Sequence, residues 1–398
     1  MQANAGASVS TPPDTDTDTG TGTGTDGDGV MVDPAAGPMT GHLVALIAAA
    51  GGWLPFDRYM AAVLYTPGLG YYARDDRQFG RLPASPDAAQ AGSDFVTAPE
   101  LSPLFGRALA VQVAQALRET GTQDVWEFGA GTGALAAQLL DALGDSVRTY
   151  HIVDLSAALR ERQRQRLQAH GARVQWHDAL PERFDGVVVG HEVLDAMPVQ
   201  LLHFDGTQWF ERGVVWRDVA LAWEDRPTDL RPPLERGGFV PGAVTEIHRQ
   251  AEAFVRTLAE RLERGAAFLI DYGFPEHEYY HPQRHGGTLM CHRAHRADTD
   301  PLQAPGDKDI TAHVNFSGVA LAAQDAGLHV LGYTSQGRFL ANCGLAGLLD
   351  GADVRTQLNA QPLILDHEMG ELFKVIGLAA GEPFDALGFA VGDRSHTL

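Results

Sequence analysis

The stretch Trp126-Glu127-Phe128-Gly129-Ala130-Gly131-Thr132-Gly133 constrains this chain more than any other. Three glycines at alternate positions follow an acidic residue at the end of the short, partly apolar run Thr122 to Phe128. An Ala/Leu-rich helical pattern then continues from Ala134 to Leu143. A strand-to-helix turn of this kind is where a βαβ unit places a nucleotide ligand. Glycine lets the backbone take positive φ and approach the ligand closely, and the helix start offers free N–H groups. Gly129, Gly131 and Ala134 also satisfy the dinucleotide pattern G-x-G-x-x-G/A, so the glycines alone admit two cofactors. Glu127 separates them. A carboxylate directly before the loop would repel a pyrophosphate and attract S-adenosylmethionine, which carries ammonium and sulfonium groups.

Acids at the ends of later strand-like runs extend the pattern. Asp154 closes Thr149 to Val153, where a carboxylate can accept hydrogen bonds from ribose hydroxyls, a role common to both cofactors. Asp178 closes Arg173 to His177, a position suited to an adenine amino group, and an Arg-rich helix from Ser156 to His170 links the two runs. The next run, Gly186 to Gly190, leads into His191-Glu192-Val193-Leu194-Asp195-Ala196-Met197-Pro198. In an open α/β sheet the loops beyond the carboxyl ends of the strands form the ligand crevice, which makes His191, Glu192 and Asp195 the catalytic candidates. Asp271, at the end of the strand pattern Ala266 to Ile270, is expected in the same crevice. Paired carboxylates there could hold a guanidinium and take the proton released on methyl transfer. Either acid could instead cap the following helix.

These residues resemble the MidA-like methyltransferases, a family that includes a mitochondrial complex I assembly factor that methylates an arginine. The resemblance runs over nearly all of residues 39 to 398. It rests on Leu64-Tyr65-Thr66-Pro67-Gly68-Leu69-Gly70-Tyr71-Tyr72, on Asp94 to Glu100, on the Glu127 to Gly133 loop, on Glu192 with Asp195 to Pro198, and on Ile270-Asp271-Tyr272-Gly273. Gln336 to Leu340 and Met369-Gly370 with Phe373-Lys374-Val375 continue it. It implies a class I methyltransferase that transfers a methyl group from S-adenosylmethionine to a protein arginine, with a respiratory-complex subunit as one target. Thr97 and Glu100 join the expected cofactor mouth on the same grounds. The sequence departs from the family pattern at His191 (usually Asn), Ser93 (usually Gly), Ala98 (often Ser) and Asn315 (usually Asp), positions that bear on the acceptor more than on the cofactor.

The expected fold is α/β: a Rossmann-like, seven-stranded, doubly wound sheet with a helical N-terminal cap. Residues 1–38 read as a low-complexity, disordered tail, 39–120 as the cap, and 121–398 as the core with insertions near 203–245 and 275–345. Thr40 is expected to cap the first helix, His42 to Ala50, and Arg74 to Ser93 to form a connecting loop that could gate the cofactor mouth. His277, His281, His285, His292 and His295 with Cys291 raise the question of zinc, but Pro275, Pro282 and Gly286-Gly287 interrupt any helix that would align them, so no metal is expected. His295 is a further candidate for the substrate loop.

Charge limits the partners. The net value is −21, of which six negative charges lie in the first 38 residues, so about −15 remains on the rest. Such a surface repels a phosphate backbone, which argues against nucleic acid and for a basic protein segment as substrate. No apolar run is long enough to span a membrane, no signal peptide is evident, and the two cysteines offer no disulfide framework. A cytoplasmic protein, with a homodimer as one form, is the expectation. Two rivals stand beside the methyltransferase: an NAD(P)-dependent oxidoreductase, for which no Tyr-x-x-x-Lys follows the strands, and a non-catalytic assembly or chaperone protein that keeps the cofactor pocket.

Overall fold

The structure, a computed structural model, describes residues 37–74, 97–154, 156–233, 238–293 and 296–398. Residues 1–36 of the expected tail 1–38, the loop from Arg74 to Ser93 beyond its first residue, and His295 lie outside them, while residues 37 and 38 belong to the first helix.

In chain order, helix α1 (Gly37–Ala49), strand β1 (Leu54–Pro55) and helix α2 (Phe56–Tyr65) are followed by α3 (Ala98–Leu101) and α4 (Pro103–Thr120). Next come β2 (Asp124–Phe128), α5 (Ala134–Leu143), β3 (Thr149–Val153), α6 (Ala157–Arg166), β4 (Val174–His177) and β5 (Phe184–His191). Four strands then form an insertion: β6 (Gln200–Phe204), β7 (Trp209–Arg217), β8 (Ala220–Pro227) and β9 (Val244–Ile247). Helix α7 (Arg249–Arg261) returns the chain to the long β10 (Leu262–Phe274). The remaining strands are β11 (Met290–Arg293), β12 (Arg296–Asp298), β13 (Asp309–Thr311), β14 (Val314–Asn315), β15 (His329–Ser335) and β16 (Phe373–Ala380).

The large sheet runs β15-β16-β10-β5-β2-β3-β4, with β14 pairing beside β10. Seven strands were expected and eight are present, because the two-residue β14 adds a parallel rung at Gly273 and Phe274. All pairs from β10 to β4 are parallel, and β16 alone runs antiparallel to both its neighbours. The central strands are buried on both faces, which is why they read as continuous apolar runs without alternation. Val187 and Val189 face one core with Phe105, Leu109 and Leu139 of α4 and α5, while Val188 between them faces the other with Leu258 of α7 and Phe316.

The expected helical cap divides. Helices α1 and α2 pack in a separate core with Leu201, Val214 and Ile310, against the five-stranded sheet β1-β7-β6-β9 with β8. Helix α4 instead lies on the parallel sheet, packed against α5, so residues 103–120 belong to the core layer. The first helix also begins earlier than the Thr40 cap implied: Pro38 fits the first turn, where its missing N–H has no partner to lose, and Thr40 lies inside the helix. The inserted sheet element expected near 203–245 is the β6–β9 sheet.

Candidate functional site

Strands β2 and β5 pair in parallel at the point where the chain's direction across the sheet reverses, with Phe128 beside Gly190. The glycine loop after β2 and the acid loop after β5 therefore leave the sheet side by side, the position where open α/β sheets bind ligands. A cleft of about 1150 Å³ opens there. Thr97, Glu100, Glu127, Gly129, Gly131, Asp154, Asp178, His191, Glu192 and Asp195 all line it.

The donor half is held by a hydrogen-bond frame. Gly129 and Gly131 have φ of +60° and +53°, values that favour glycine. A Cβ at Gly131 would meet nothing within 4 Å, so a side chain there would project into open space that a ligand can fill. The Gln163 side chain donates to the Gly131 carbonyl (2.9 Å) and to Asp154 Oδ2 (2.8 Å), and accepts from Trp176 Nε1 (3.0 Å). Asp154 also accepts from Ser156 N at 2.9 Å, an arrangement that fixes the carboxyl at the end of β3. Glu100 accepts from Thr132 Oγ1 and from Arg166 Nη1, linking the short α3 to the glycine loop. Asp178 stands at the exposed rim and pairs with Arg160. Glu127 is 3% exposed and accepts from Tyr150 Oη at 2.8 Å, yet burial pushes its pKa up to about 8. The negative charge that favours a cationic donor is therefore conditional: burial favours the protonated carboxyl in the free site, and a cation placed beside Glu127 would favour its ionisation.

The acceptor half centres on Glu192 and Asp195. Glu192 has φ of +54°, a strained value for a residue with a side chain, at the corner where its N–H donates to the Ile270 carbonyl (2.9 Å). Asp195 is 4% exposed; Oδ2 accepts from Tyr272 Oη, and Oδ1 has no hydrogen-bond partner. Glu192 Oε1 likewise has none, although His191 Nδ1 stands 3.5 Å away. Burial raises the pKa of both acids, and for Glu192 the neighbouring Asp195 and Asp309 add to the rise. His191 lies between Phe105 and Phe373, and burial pushes its pKa down to about 3. It is a neutral imidazole, able to exchange a hydrogen bond as Asn would and poorly suited to take a proton.

Two expected site residues sit elsewhere. Asp271 is 1% exposed and does not line the cleft, because β10 runs on past it to Phe274 and holds it beneath the acid loop. Its Oδ2 accepts from the N–H groups of Val193 (3.1 Å), Leu194 (2.9 Å) and Asp195 (3.3 Å), so it holds the loop that carries the acids. Gly133 starts α5 and faces Gln163, outside the cleft wall. The departure at Asn315 has a local explanation: its side chain accepts from Gly318 N (3.2 Å) and caps the helix that follows, as Asp would. Among the described residues no group of three or more His, Cys, Asp or Glu could hold a metal. Sequence reasoning missed Tyr65, Tyr72, Tyr150, Gln163 and Tyr272; the runs Leu64 to Tyr72 and Ile270 to Gly273 carried a signal for three of them, and it pointed to no role.

Residues 108–334 match the profile of a family described as "Putative S-adenosyl-L-methionine-dependent methyltransferase". The chain is 30% identical to the mitochondrial protein arginine methyltransferase NDUFAF7 homolog of Drosophila melanogaster, over 76% of this chain and 74% of that protein. It is 28% identical to the mitochondrial protein arginine methyltransferase NDUFAF7 of Danio rerio, over 84% of this chain and 85% of that protein. A crystal structure of a superfamily member from Burkholderia thailandensis, bound to S-adenosyl-homocysteine, shares 53% identity and a TM-score of 0.85, covering 90% of this chain and 96% of that one. The expectation of a cytoplasmic protein is corrected by these relatives, which are named as mitochondrial; composition alone held no address. No helix among the described residues is long and apolar enough to cross a membrane.

Proposed function

The chain belongs to the S-adenosyl-L-methionine-dependent methyltransferase family, and from that premise we propose that its acceptor is the guanidinium of an arginine in a protein. One observation carries the reading. Glu192 and Asp195, each with a buried oxygen that lacks a hydrogen-bond partner, line the same cleft as the glycine loop. A planar cation with several N–H donors would satisfy both acids, and carboxylates bind guanidinium in a forked geometry that orients one nitrogen. The relatives' names as protein arginine methyltransferases support the same acceptor. The family resemblance extends the reading to a respiratory-complex subunit as the protein, and the net charge of −21 disfavours nucleic acid.

The glycine loop, Glu127 and Asp154 would hold the donor, which supplies an electrophilic methyl group on a sulfonium and leaves as S-adenosylhomocysteine. Glu192 and Asp195 then orient the acceptor so that the lone pair of one nitrogen forms the new N–C bond as the C–S bond breaks, its electron pair staying on sulfur. The bound guanidinium would hold Glu192 as the carboxylate, and the surplus N–H proton passes to it on transfer, an uptake favoured by the burial that raises its pKa. Asp195, anchored by Tyr272, keeps the guanidinium in place.

Glu192→Gln keeps the shape and removes the base. The expected result is loss of transfer to an arginine peptide by about 100-fold or more, with donor binding in a calorimeter retained. Full activity of that variant would refute the assignment. A parent protein that binds the donor and transfers to no protein would favour the non-catalytic assembly reading.

A further inference from the structure

We propose that Tyr65 and Tyr72 form an aromatic wall of the acceptor pocket and select a flat, delocalised cation over a compact ammonium. The inference rests on the arginine reading above and names the residues that would give it specificity. Tyr65 ends α2, and Tyr72 follows in the turn that the chain makes through Gly68 and Gly70. Their rings stack with centroids 5.7 Å apart and planes 21° from parallel. Both line the cleft shared with Glu192 and Asp195.

Their hydroxyls are held within the protein, and the Tyr71 ring meets Tyr72 edge-on at 5.0 Å, which fixes the pair at the cleft wall. Tyr65 Oη donates to the Ala196 carbonyl at 2.8 Å, directly after Asp195. Tyr72 Oη donates to Asp309 Oδ1 at 2.8 Å, at the start of β13. The pair is thus tied to the acid loop on one side and to the inserted β11–β13 sheet on the other. A cation that enters to meet the unpartnered Asp195 Oδ1 is brought to a pocket walled by these rings, whose negative faces attract positive charge. Arginine's guanidinium stacks on such faces and matches paired carboxylates at its edge, whereas a lysine ammonium is a strongly hydrated point charge and gains less from either.

The test uses the full-length protein with S-adenosylmethionine and two acetylated peptides that differ only in arginine or lysine. Tyr72→Leu removes the ring and the hydroxyl, and Tyr72→Phe removes the hydroxyl alone. The ring account expects Tyr72→Leu to raise KM for the arginine peptide roughly tenfold beyond any rise in Tyr72→Phe, with donor affinity unchanged. Tyr65→Leu gives the same comparison if Tyr72→Leu fails to fold. Equal KM values for the Leu and Phe variants, or a parent-like KM in Tyr72→Leu, would overturn the aromatic wall alone. A parent that methylates lysine and not arginine would instead overturn the arginine reading and the inference with it.

Discussion

Gln163 touches three parts of the donor site at once, and no spacing rule singles it out from Gln165 in the same polar helix. It is fully buried, with Gly131, Asp154 and Trp176 as partners, so its role is to hold the glycine loop against the end of β3. Glu127 is the complementary case, a residue whose place was readable and whose charge state was not. Burial stabilises its protonated form, with a pKa of about 8 against an ordinary value near 4.5. A cationic donor binds best to the carboxylate. Its affinity is therefore expected to rise with pH up to about 8 and then level off, and in Glu127→Gln to be weaker and nearly flat over the same range. Calorimetry across pH checks this. The folding contribution runs the other way: because the folded pKa is raised, the stability Glu127 contributes is present in acid and is lost as the pH climbs toward about 8. A donor affinity independent of pH in the parent would mean that Glu127 is already ionised in the free protein.

At the scale of elements, the acid loop after β5 depends on a residue that belongs to another strand. Asp271 gathers three N–H groups of residues 193 to 195, which would otherwise be buried without acceptors where β5 ends and the backbone turns at Glu192. Asp271→Ala should therefore destabilise the fold by about 2–4 kcal/mol in chemical denaturation, and lower the turnover rate more than it raises the donor's dissociation constant. A stable variant with normal turnover would show that the loop keeps its shape unaided. Asp271 was read from sequence as a cleft acid because it ends a strong strand, and the strand rule was sound. The end of a strand does not say which way its last side chain points, and here β10 runs on as far as Phe274, with Asp271 held under the loop. The split of the helical cap has a similar cause. Helices α2 and α4 both show apolar stripes, but only the pairing of β1 with β7, set by contacts far apart in sequence, decides which sheet each stripe covers.

For the whole molecule, the central parallel sheet and the loops at its switch point were legible, because glycine, acid and apolar run recur there at the short range that a sequence displays. The tyrosines that anchor the acids and the protonation of Glu127 were not, since each depends on which side chains the fold buries together: Tyr150 lies 23 positions from Glu127, and Tyr272 lies 77 from Asp195. The acidic balance acts at this scale too: a basic protein segment would be drawn toward a cleft lined by Glu127, Asp154, Glu192 and Asp195. The most direct test of the account is to incubate the protein with methyl-labelled S-adenosylmethionine and an extract of proteins, hydrolyse the labelled products, and identify the amino acid that carries the label. The account predicts methylated arginine, absent when Glu192→Gln replaces the parent protein. Label on lysine, on a carboxylate or on a hydroxyl would contradict the assignment of the acceptor pocket to a guanidinium.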